Sequence, residues 1–315
     1  MKRKNNTSEN FSRRSFLTKS SVAAMGLLAV GPVAYASALD LAKKPNSKFA
    51  GVQIGTITYS YRSMPHDIHQ LLKFITDSGI SAVELMGEAV EDYAGKPKDK
   101  DQWPEWRANV GMGKFKEVRK MFKKAGVSIY AFKPSALGVN NTDEEIEYAM
   151  RAGKALGANS VTVELPKDPK QSLRLGTLAA KHKMYVGYHN HTQATDTVWD
   201  VALDQSPYNS INLDFGHYIA AGGNNTVETL LAFIENKHHR ITSMHMKDRQ
   251  NKVNGQANLP WGQGDTPIVE VLQLLRDNKY RIPVSIELEY EIPAGSDAVK
   301  EVRKCREYAR EALEG

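Results

Sequence analysis

Four side chains of the kinds that bind metal ions each follow a short apolar run in the second half of the chain. They are Glu164, Asp214, His245 and Glu287. Short apolar runs are typical of buried β-strands, and strand ends converge only where the strands lie side by side and point the same way. A parallel barrel has this arrangement and places its chemistry at the carboxyl ends of its strands. The pattern therefore predicts a divalent-metal site formed by Glu164, Asp214, His245 and Glu287.

The predicted ligand set is rich in oxygen, because it contains three carboxylates and one imidazole. Hard divalent ions prefer such ligands. We expect manganese, with magnesium, cobalt or zinc as alternatives. Glu287 or Glu164 is the expected base in a proton transfer.

Further polar side chains lie close to the same strand ends. His217 follows Asp214 by three residues across Gly216, so both side chains can face one pocket. His189 and His191 are two residues apart and share one face of their strand, which places both near the site. The residues expected to move or orient protons are Glu164, Glu287, His217 and His189.

Substrate contacts are expected from residues around this centre. Lys247 and Arg249 alternate along the chain with His245 and therefore share its side. Trp261 lies in a long connection, and long ordered loops often carry function. Glu84 ends an earlier strand and is either a pocket residue or part of a scaffold ion pair. The expected substrate-binding residues are His191, Lys247, Arg249, Trp261 and Glu84.

These residues need a scaffold, and the chain repeats a strand and a helical segment eight times from about residue 49. The predicted strands are 52–58, 82–85, 128–132, 160–164, 185–189, 211–214, 241–245 and 284–288. Strands that alternate with helices predict a parallel sheet, and eight units of this size predict an α/β (β/α)₈ TIM barrel. An open doubly wound sheet would carry a glycine-rich phosphate turn after its first strand, and residues 55–59, GTITY, do not form one.

The first residues of the chain predict an export signal. Residues 12–19, SRRSFLTK, match a twin-arginine motif. The following apolar run, 22–35, is shorter than the ~20 residues that span a bilayer, and small residues suited to cleavage follow it. We therefore predict a twin-arginine signal peptide over 1–38 and one barrel over 39–315. This implies a periplasmic protein that meets the Tat translocase during export and has no membrane anchor after cleavage.

The charge of the chain argues against nucleic acid as a partner. The net charge of the chain is +6, and residues 1–36 carry five of these charges. What remains is close to neutral, whereas a nucleic-acid binder needs a concentrated basic surface. We expect a small-molecule partner and no nucleic acid; a homo-oligomer is a further expectation, since such barrels commonly assemble.

Through five short sequence motifs the chain resembles the xylose isomerase-like barrel superfamily, and within it the sugar phosphate isomerase/epimerase proteins. The motifs are GYHNH (187–191), LDFGHY (213–218), HMKD (245–248), WGQGD (261–265) and IELEY (286–290). The resemblance spans essentially the whole predicted mature chain. It implies a divalent metal held by Glu, Asp, His and Glu. The last three match Asp214, His245 and Glu287, and His217 and Arg249 match further site residues.

The resemblance leaves one ligand open. In the epimerases the first Glu stands on the strand that carries His189 in this chain, and the nearest Glu here is Glu164, one strand earlier. Either Glu164 or His189 is therefore the fourth ligand.

Residues and resemblance together predict a metal-dependent isomerase or epimerase that removes a proton next to a carbonyl of a sugar or keto-sugar. One alternative is a 3-keto-glycoside lyase or hydratase that uses the same site and expels a substituent. Predicted export favours it, because unphosphorylated saccharides reach the periplasm. A second alternative is a non-catalytic saccharide-binding barrel.

Overall fold

Eight parallel strands form a closed barrel and follow one another around it in chain order. They are β1 (Val52–Ile57), β2 (Ala82–Met86), β3 (Ser128–Lys133), β4 (Ser160–Glu164), β5 (Tyr185–His189), β6 (Asn209–Asp214), β7 (Ile241–Met246) and β8 (Val284–Ile286). β1 pairs in parallel with both β8 and β2, which closes the sheet. The predicted (β/α)₈ fold is confirmed.

The computed structural model describes residues 44–65 and 67–315. The signal peptide predicted for 1–38 lies outside the described residues and stays a prediction. Within the described part of the chain, no helix is both long enough and apolar enough to cross a membrane.

Helices connect the strands. They are α1 (Ile68–Asp77), α2 (Gly87–Tyr93), α3 (Trp103–Asn109), α4 (Gly113–Lys124), α5 (Asp143–Leu156), α6 (Pro169–His182), α7 (Asp200–Gln205), α8 (Phe215–Ala221), α9 (Val227–Lys237), α10 (Ile268–Asp277) and α11 (Ala298–Glu314). Three single turns of 3₁₀-helix cover Thr58–Tyr61, Lys100–Gln102 and His238–Arg240. A short strand, Lys48–Phe49, pairs antiparallel with β1, and a two-stranded hairpin joins Asp248–Arg249 to Asn258–Leu259.

Capping residues define both ends of α5. The Thr142 hydroxyl accepts a hydrogen bond from the Glu145 backbone N–H, and the Glu145 carboxylate accepts one from the Thr142 N–H. This reciprocal pair satisfies two backbone donors that a helix start leaves free. The helix ends at Gly157, whose φ of +87° favours glycine.

The long connection after β2 is helical and is held by buried charges. Arg107 of α3 lies 2.9 Å from a Glu145 carboxylate oxygen of α5 and 3.8 Å from a Glu91 oxygen of α2. All three side chains are buried. The ion pairs therefore join three separate helices.

A polar layer crosses the interior of the barrel below its carboxyl end. The Glu84 carboxylate of β2 accepts hydrogen bonds from the Thr162 hydroxyl of β4 at 2.6 Å and from the Asn212 amide of β6 at 3.1 Å. All three residues are fully buried. Buried polar groups are tolerated where every member has a partner, and this layer forms the floor of the site described next.

Candidate functional site

Four buried side chains meet at the carboxyl ends of β5 to β8. They are His189, Asp214, His245 and Glu287. Each offers one nitrogen or oxygen atom, and these atoms all lie within 4.8 Å of one another. Glu287 directly follows β8, which ends at Ile286 and is therefore shorter than predicted. We call these residues the four-residue group. Two imidazoles and two carboxylates form a donor set that suits a divalent transition metal.

Glu164 does not belong to the four-residue group, although we expected it among the ligands. Its side chain is half exposed, and its carboxylate pairs with Lys133 at 2.8 Å and with His191 at 3.2 Å. These two contacts hold the carboxylate at the mouth of the barrel. The predicted ligand set is corrected accordingly: His189, the alternative left open by the sequence, lies with the other three.

His189 presents a single free nitrogen to the group. Its Nδ1 lies 3.4 Å from the Asn212 side-chain oxygen, so this nitrogen carries the proton and donates it there. Its Nε2 lies 3.9 Å from Asp214 Oδ2. Burial, followed by the nearby Lys133, holds the pKa of His189 well below its usual value. The ring is therefore neutral, which is the form that binds a metal.

Asp214 is fixed by its neighbours and turns one oxygen toward the group. Its Oδ1 accepts a hydrogen bond from the His217 backbone N–H at 2.6 Å. The Asn190 side chain bonds both the N–H and the C=O of Asp214, at 2.8 and 2.9 Å. The buried Oδ2 receives no well-aligned hydrogen bond from any described residue, and the Lys247 ammonium lies 3.0 Å from it. This oxygen faces the group and can bind a cation.

His245 is held between two carboxylates. Its Nε2 lies 2.7 Å from Glu84 Oε2, and its Nδ1 lies 3.1 Å from Glu287 Oε2. Burial opposes a charge on the ring, but Glu84 and then Glu287 outweigh burial and raise the pKa of His245 to about 10. Glu84 is fully buried below the ring. Of the two roles predicted for Glu84, pocket residue or scaffold ion pair, the structure shows the ion pair: its carboxylate is bonded to the ring above it and to the polar layer, and not to the pocket.

Lys247 places a buried ammonium beside the four-residue group. Its Nζ lies 2.6 Å from Glu287 Oε2 and 3.0 Å from Asp214 Oδ2. A third carboxylate oxygen, from Glu289, lies at 2.9 Å. Burial works against the ammonium, but Asp214 and then Glu287 raise the pKa of Lys247 above its ordinary value. Strand alternation correctly predicted its side, but not that it would pair with two of the expected ligands.

His217 faces two cations. Its Nε2 lies 3.1 Å from Lys247 Nζ, and its Nδ1 contacts the Arg249 guanidinium. Burial and then the charge of Lys247 lower the pKa of His217 to about 2, so the ring is neutral. A neutral imidazole has one acceptor nitrogen, so only one of the two cations can donate to it. The three side chains form one wall of the site.

His191 lies at the mouth of the site and is largely exposed. It forms a second potential ligand group with His189 and His217. Its ring lies 5.3 Å from that of His189 and 4.8 Å from that of His217, centre to centre. The single free nitrogen of His189 can serve only one of the two groups. The four-residue group is the stronger metal candidate, because it adds two carboxylates.

Trp261 lies on the side of the last helix. Its ring packs edge-on against Tyr308 of α11, with centres 5.9 Å apart. Its buried Nε1 has no hydrogen-bond partner among the described residues. The expected role of Trp261 in substrate binding stays a prediction.

Sequence reasoning missed Asn190 and Asn212. Asn190 fixes the backbone of Asp214, and Asn212 joins the polar layer to His189. A signal for Asn212 was present, since it lies two residues before Asp214 and so shares its face. The role of Asn190 depends on a contact between neighbouring strands, which the sequence of one strand does not reveal.

Three solved structures illustrate the similarity of this fold to known proteins. A sugar phosphate isomerase/epimerase of Parabacteroides distasonis is 20% identical, covers 85% of this chain and 97% of its own, and gives a TM-score of 0.57. The probable 3-DHS dehydratase AsbF of Bacillus anthracis is 16% identical over 81% of this chain and 98% of its own, with a TM-score of 0.61. The IOLI protein, solved with a bound zinc atom, is 15% identical over 84% of this chain and 98% of its own, with a TM-score of 0.59.

At these identities the structural likeness concerns the fold alone. A comparison with curated proteins finds no match. A family model described as "Xylose isomerase-like TIM barrel" matches residues 72–308, which include every member of the four-residue group. The chain therefore belongs to the xylose isomerase-like TIM barrel family.

Proposed function

We propose that this protein is a divalent-metal-dependent enzyme of the isomerase or epimerase type, which removes a proton next to a carbonyl of a sugar or keto-sugar. The observation that carries the proposal is the four-residue group, because four buried ligand atoms converge where this fold carries its chemistry. The family match and the isomerase/epimerase among the similar structures support the same reaction class.

The four-residue group would hold the ion. Asp214 Oδ2, which now faces the Lys247 ammonium, and the free nitrogen of His189 are suitable donors. Two imidazoles in place of one make manganese or zinc better suited than magnesium, and the zinc in the IOLI structure supports this choice. When bound, the ion would polarise a carbonyl or hydroxyl oxygen of the substrate.

The surrounding side chains would bind and orient the sugar. Lys247 and Arg249 are cations that can donate hydrogen bonds to substrate oxygens, and neutral His217 can donate or accept one. His191 is exposed, and its Nε2 lies 3.2 Å from the Glu164 carboxylate. Glu164 can accept the Nε2 proton and leave Nδ1 as a base, so this pair would move a proton at the mouth.

The His191–Glu164 pair also favours a second candidate, a 3-keto-glycoside lyase. The pair lies outside the four-residue group and is half or more exposed. A solvent-accessible acid can protonate a departing oxygen while the sugar is held at the centre. One of the similar structures is named as a probable dehydratase, and a dehydration is an elimination.

The two candidates can be separated in D₂O. Protein loaded with manganese or treated with chelator is incubated with free ketoses and with a 3-keto-glycoside, and the metal is removed before NMR spectra are recorded. Deuterium in an intact, rearranged sugar would identify an isomerase or epimerase, and metal-dependent release of the aglycone would identify a lyase. Metal retention without either reaction would favour a saccharide-binding barrel.

A matched pair of variants tests the centre itself. Asp214→Asn should abolish the metal-dependent reaction, because it removes an anionic ligand. Glu147→Gln changes a carboxylate on the outer helix α5 that pairs with Lys181, and it should leave the reaction unchanged. Equal activity of both variants would contradict a metal centre at Asp214.

We also propose export through the twin-arginine pathway, with residues 1–38 as the signal and the periplasm as the destination. The support is the SRRSFLTK motif at 12–19. Replacing Arg13 and Arg14 by Lys should retain the protein in the cytoplasmic fraction. Unchanged periplasmic recovery of this variant would contradict the proposal.

A further inference from the structure

We infer that the Lys247 ammonium is a built-in counter-cation that competes with a divalent ion for the carboxylates of the four-residue group. Metal binding and the position of Lys247 are then coupled. This coupling rests on the proposed metal site. It makes Lys247, which is outside the ligand set, a residue that controls the affinity of the site for the ion.

Lys247 contacts the same oxygens that face the imidazoles of the group. Its Nζ lies 2.6 Å from Glu287 Oε2, and this oxygen is also 3.1 Å from His245 Nδ1. Nζ lies 3.0 Å from Asp214 Oδ2, and this oxygen is also 3.9 Å from His189 Nε2. An ion held within the group would take the lone pairs of these two oxygens. The ammonium and the ion therefore compete for them.

The burial of Lys247 makes this competition strong. Its side chain is only 2% exposed, so little water screens its charge. A divalent ion on the same two oxygens would lie close to the ammonium in a medium of low dielectric constant, where like charges repel strongly. Ion binding must therefore either displace the ammonium or take place with reduced affinity.

The ammonium has partners other than the two shared oxygens. Glu289 Oε2 lies 2.9 Å from Nζ, and His217 Nε2 lies 3.1 Å from it. Neither residue belongs to the four-residue group. The stem of Lys247 has less freedom, because a methyl group on Gly216 would lie only 2.5 Å from its Cγ. Movement would therefore be confined to the end of the side chain, toward Glu289.

Two variants should change metal affinity in opposite directions. Lys247→Met keeps most of the apolar stem and removes the charge, so it should bind Mn²⁺ or Zn²⁺ at least about tenfold more tightly than the wild type. Glu289→Gln removes the second partner of the ammonium, so it should bind the ion several-fold more weakly. Isothermal titration of metal-free protein with each ion measures both changes without an activity assay.

Lys237→Met is the matched control. Lys237 also forms an ion pair, but its partner is Asp200 at 3.0 Å, which does not belong to the group. Its replacement should change the dissociation constant by no more than about threefold, as expected for a partly exposed charge.

Each result has a defined meaning. Equal or weaker binding by Lys247→Met would overturn the inference while leaving the metal site in place. Equal tightening by Lys237→Met would also overturn it, because the net charge of the protein, and not the contact of Lys247 with the group, would then be responsible. If no variant and no wild-type protein bound either ion, the metal site and the inference would both fail. If Lys247→Met does not fold, weaker binding by Glu289→Gln supports the inference, and unchanged binding overturns it.

Discussion

Glu84 supports His245 from below the candidate centre, with its Oε2 2.7 Å from the imidazole Nε2. The carboxylate is fully buried and also bonds Thr162 and Asn212. With Nε2 bonded to Glu84, the other ring nitrogen, Nδ1, faces Glu287 and the rest of the four-residue group. Carboxylates in this position fix the orientation of a ligating histidine and increase its basicity.

Replacing Glu84 by Gln should therefore weaken metal binding although Glu84 is not a member of the four-residue group. An amide accepts less strongly than a carboxylate, and its NH₂ group would oppose one of the three donors that now face Glu84. We expect a loss of about 10- to 100-fold in affinity for Zn²⁺ or Mn²⁺. Competition with a chromophoric chelator measures it.

Glu164→Gln is the control for this prediction. Glu164 ends β4, whereas Glu84 lies on β2. The Glu164 side chain is half exposed and pairs with Lys133. An exposed ion pair contributes less than ~1 kcal/mol, so we expect a change below about fivefold. A loss as large as that of Glu84→Gln would mean that Glu164 is a ligand after all.

Metal removal should lower the thermal stability of the protein. A ligand that binds only the folded state at 100 times its dissociation constant stabilises that state by about 2.7 kcal/mol. For a chain of this size this corresponds to roughly 4–5 °C in Tm. Differential scanning calorimetry with and without chelator measures the shift, and the shift should vanish in Asp214→Asn. A shift that persists in this variant would place the ion elsewhere.

The fold and three members of the four-residue group were predictable because they depend on local patterns. Apolar runs that alternate with helical segments gave all eight strands, and parallel strands must bring their carboxyl ends together. Asp214, His245 and Glu287 meet for that reason. The choice between Glu164 and His189 was not predictable. It depends on Lys133 and His191, whose contacts with Glu164 arise only after folding.

Buried charges were the least predictable feature. The sequence shows Arg107, Glu91 and Glu145 as ordinary charged residues on separate helical segments. In the structure they are buried together. Lys247 likewise looked like a substrate-binding cation, and its pairing with two ligand carboxylates depends on the distance between adjacent strands. Such contacts depend on three-dimensional packing and leave no periodic signal in the sequence.

Gly264→Ala should loosen the loop that follows the short hairpin. Asp248 Oδ2 accepts backbone hydrogen bonds from residues 262, 263 and 264 at 2.7, 3.1 and 2.9 Å. A methyl group on Gly264 would collide with the other carboxylate oxygen, Oδ1. We expect a loss of about 1–3 kcal/mol in the stability of this loop and faster hydrogen exchange over 260–266.

Gly111→Ala is the control for the loop, because a methyl group there meets no atom within 4 Å. It should leave hydrogen exchange over 260–266 unchanged. If Gly264→Ala also had no effect, the Asp248 carboxylate would not be what holds the loop.

Glu145→Gln should destabilise the protein in a pH-dependent way. Burial opposes the charge of Glu145, but the Thr142 backbone N–H and then Arg107 and Asn141 outweigh burial and lower the pKa of this carboxyl. A carboxyl with a lowered pKa stabilises the folded state above its unfolded pKa of about 4.3, and this contribution disappears as the pH falls through its folded value. Gln retains the reciprocal cap with Thr142 but cannot carry the charge that faces Arg107.

The free energy of unfolding should therefore fall by about 1–3 kcal/mol at pH 7, the loss expected for a hydrogen bond to a charged group. The difference from the wild type should shrink below about pH 4. Urea unfolding at several pH values between neutral and acid measures it. Glu144→Gln, an exposed neighbour on the same helix, should change stability by less than about 0.5 kcal/mol. A Glu145→Gln deficit that stayed constant down to acid pH would show that packing, and not the charge of Glu145 beside Arg107, stabilises the junction of the three helices.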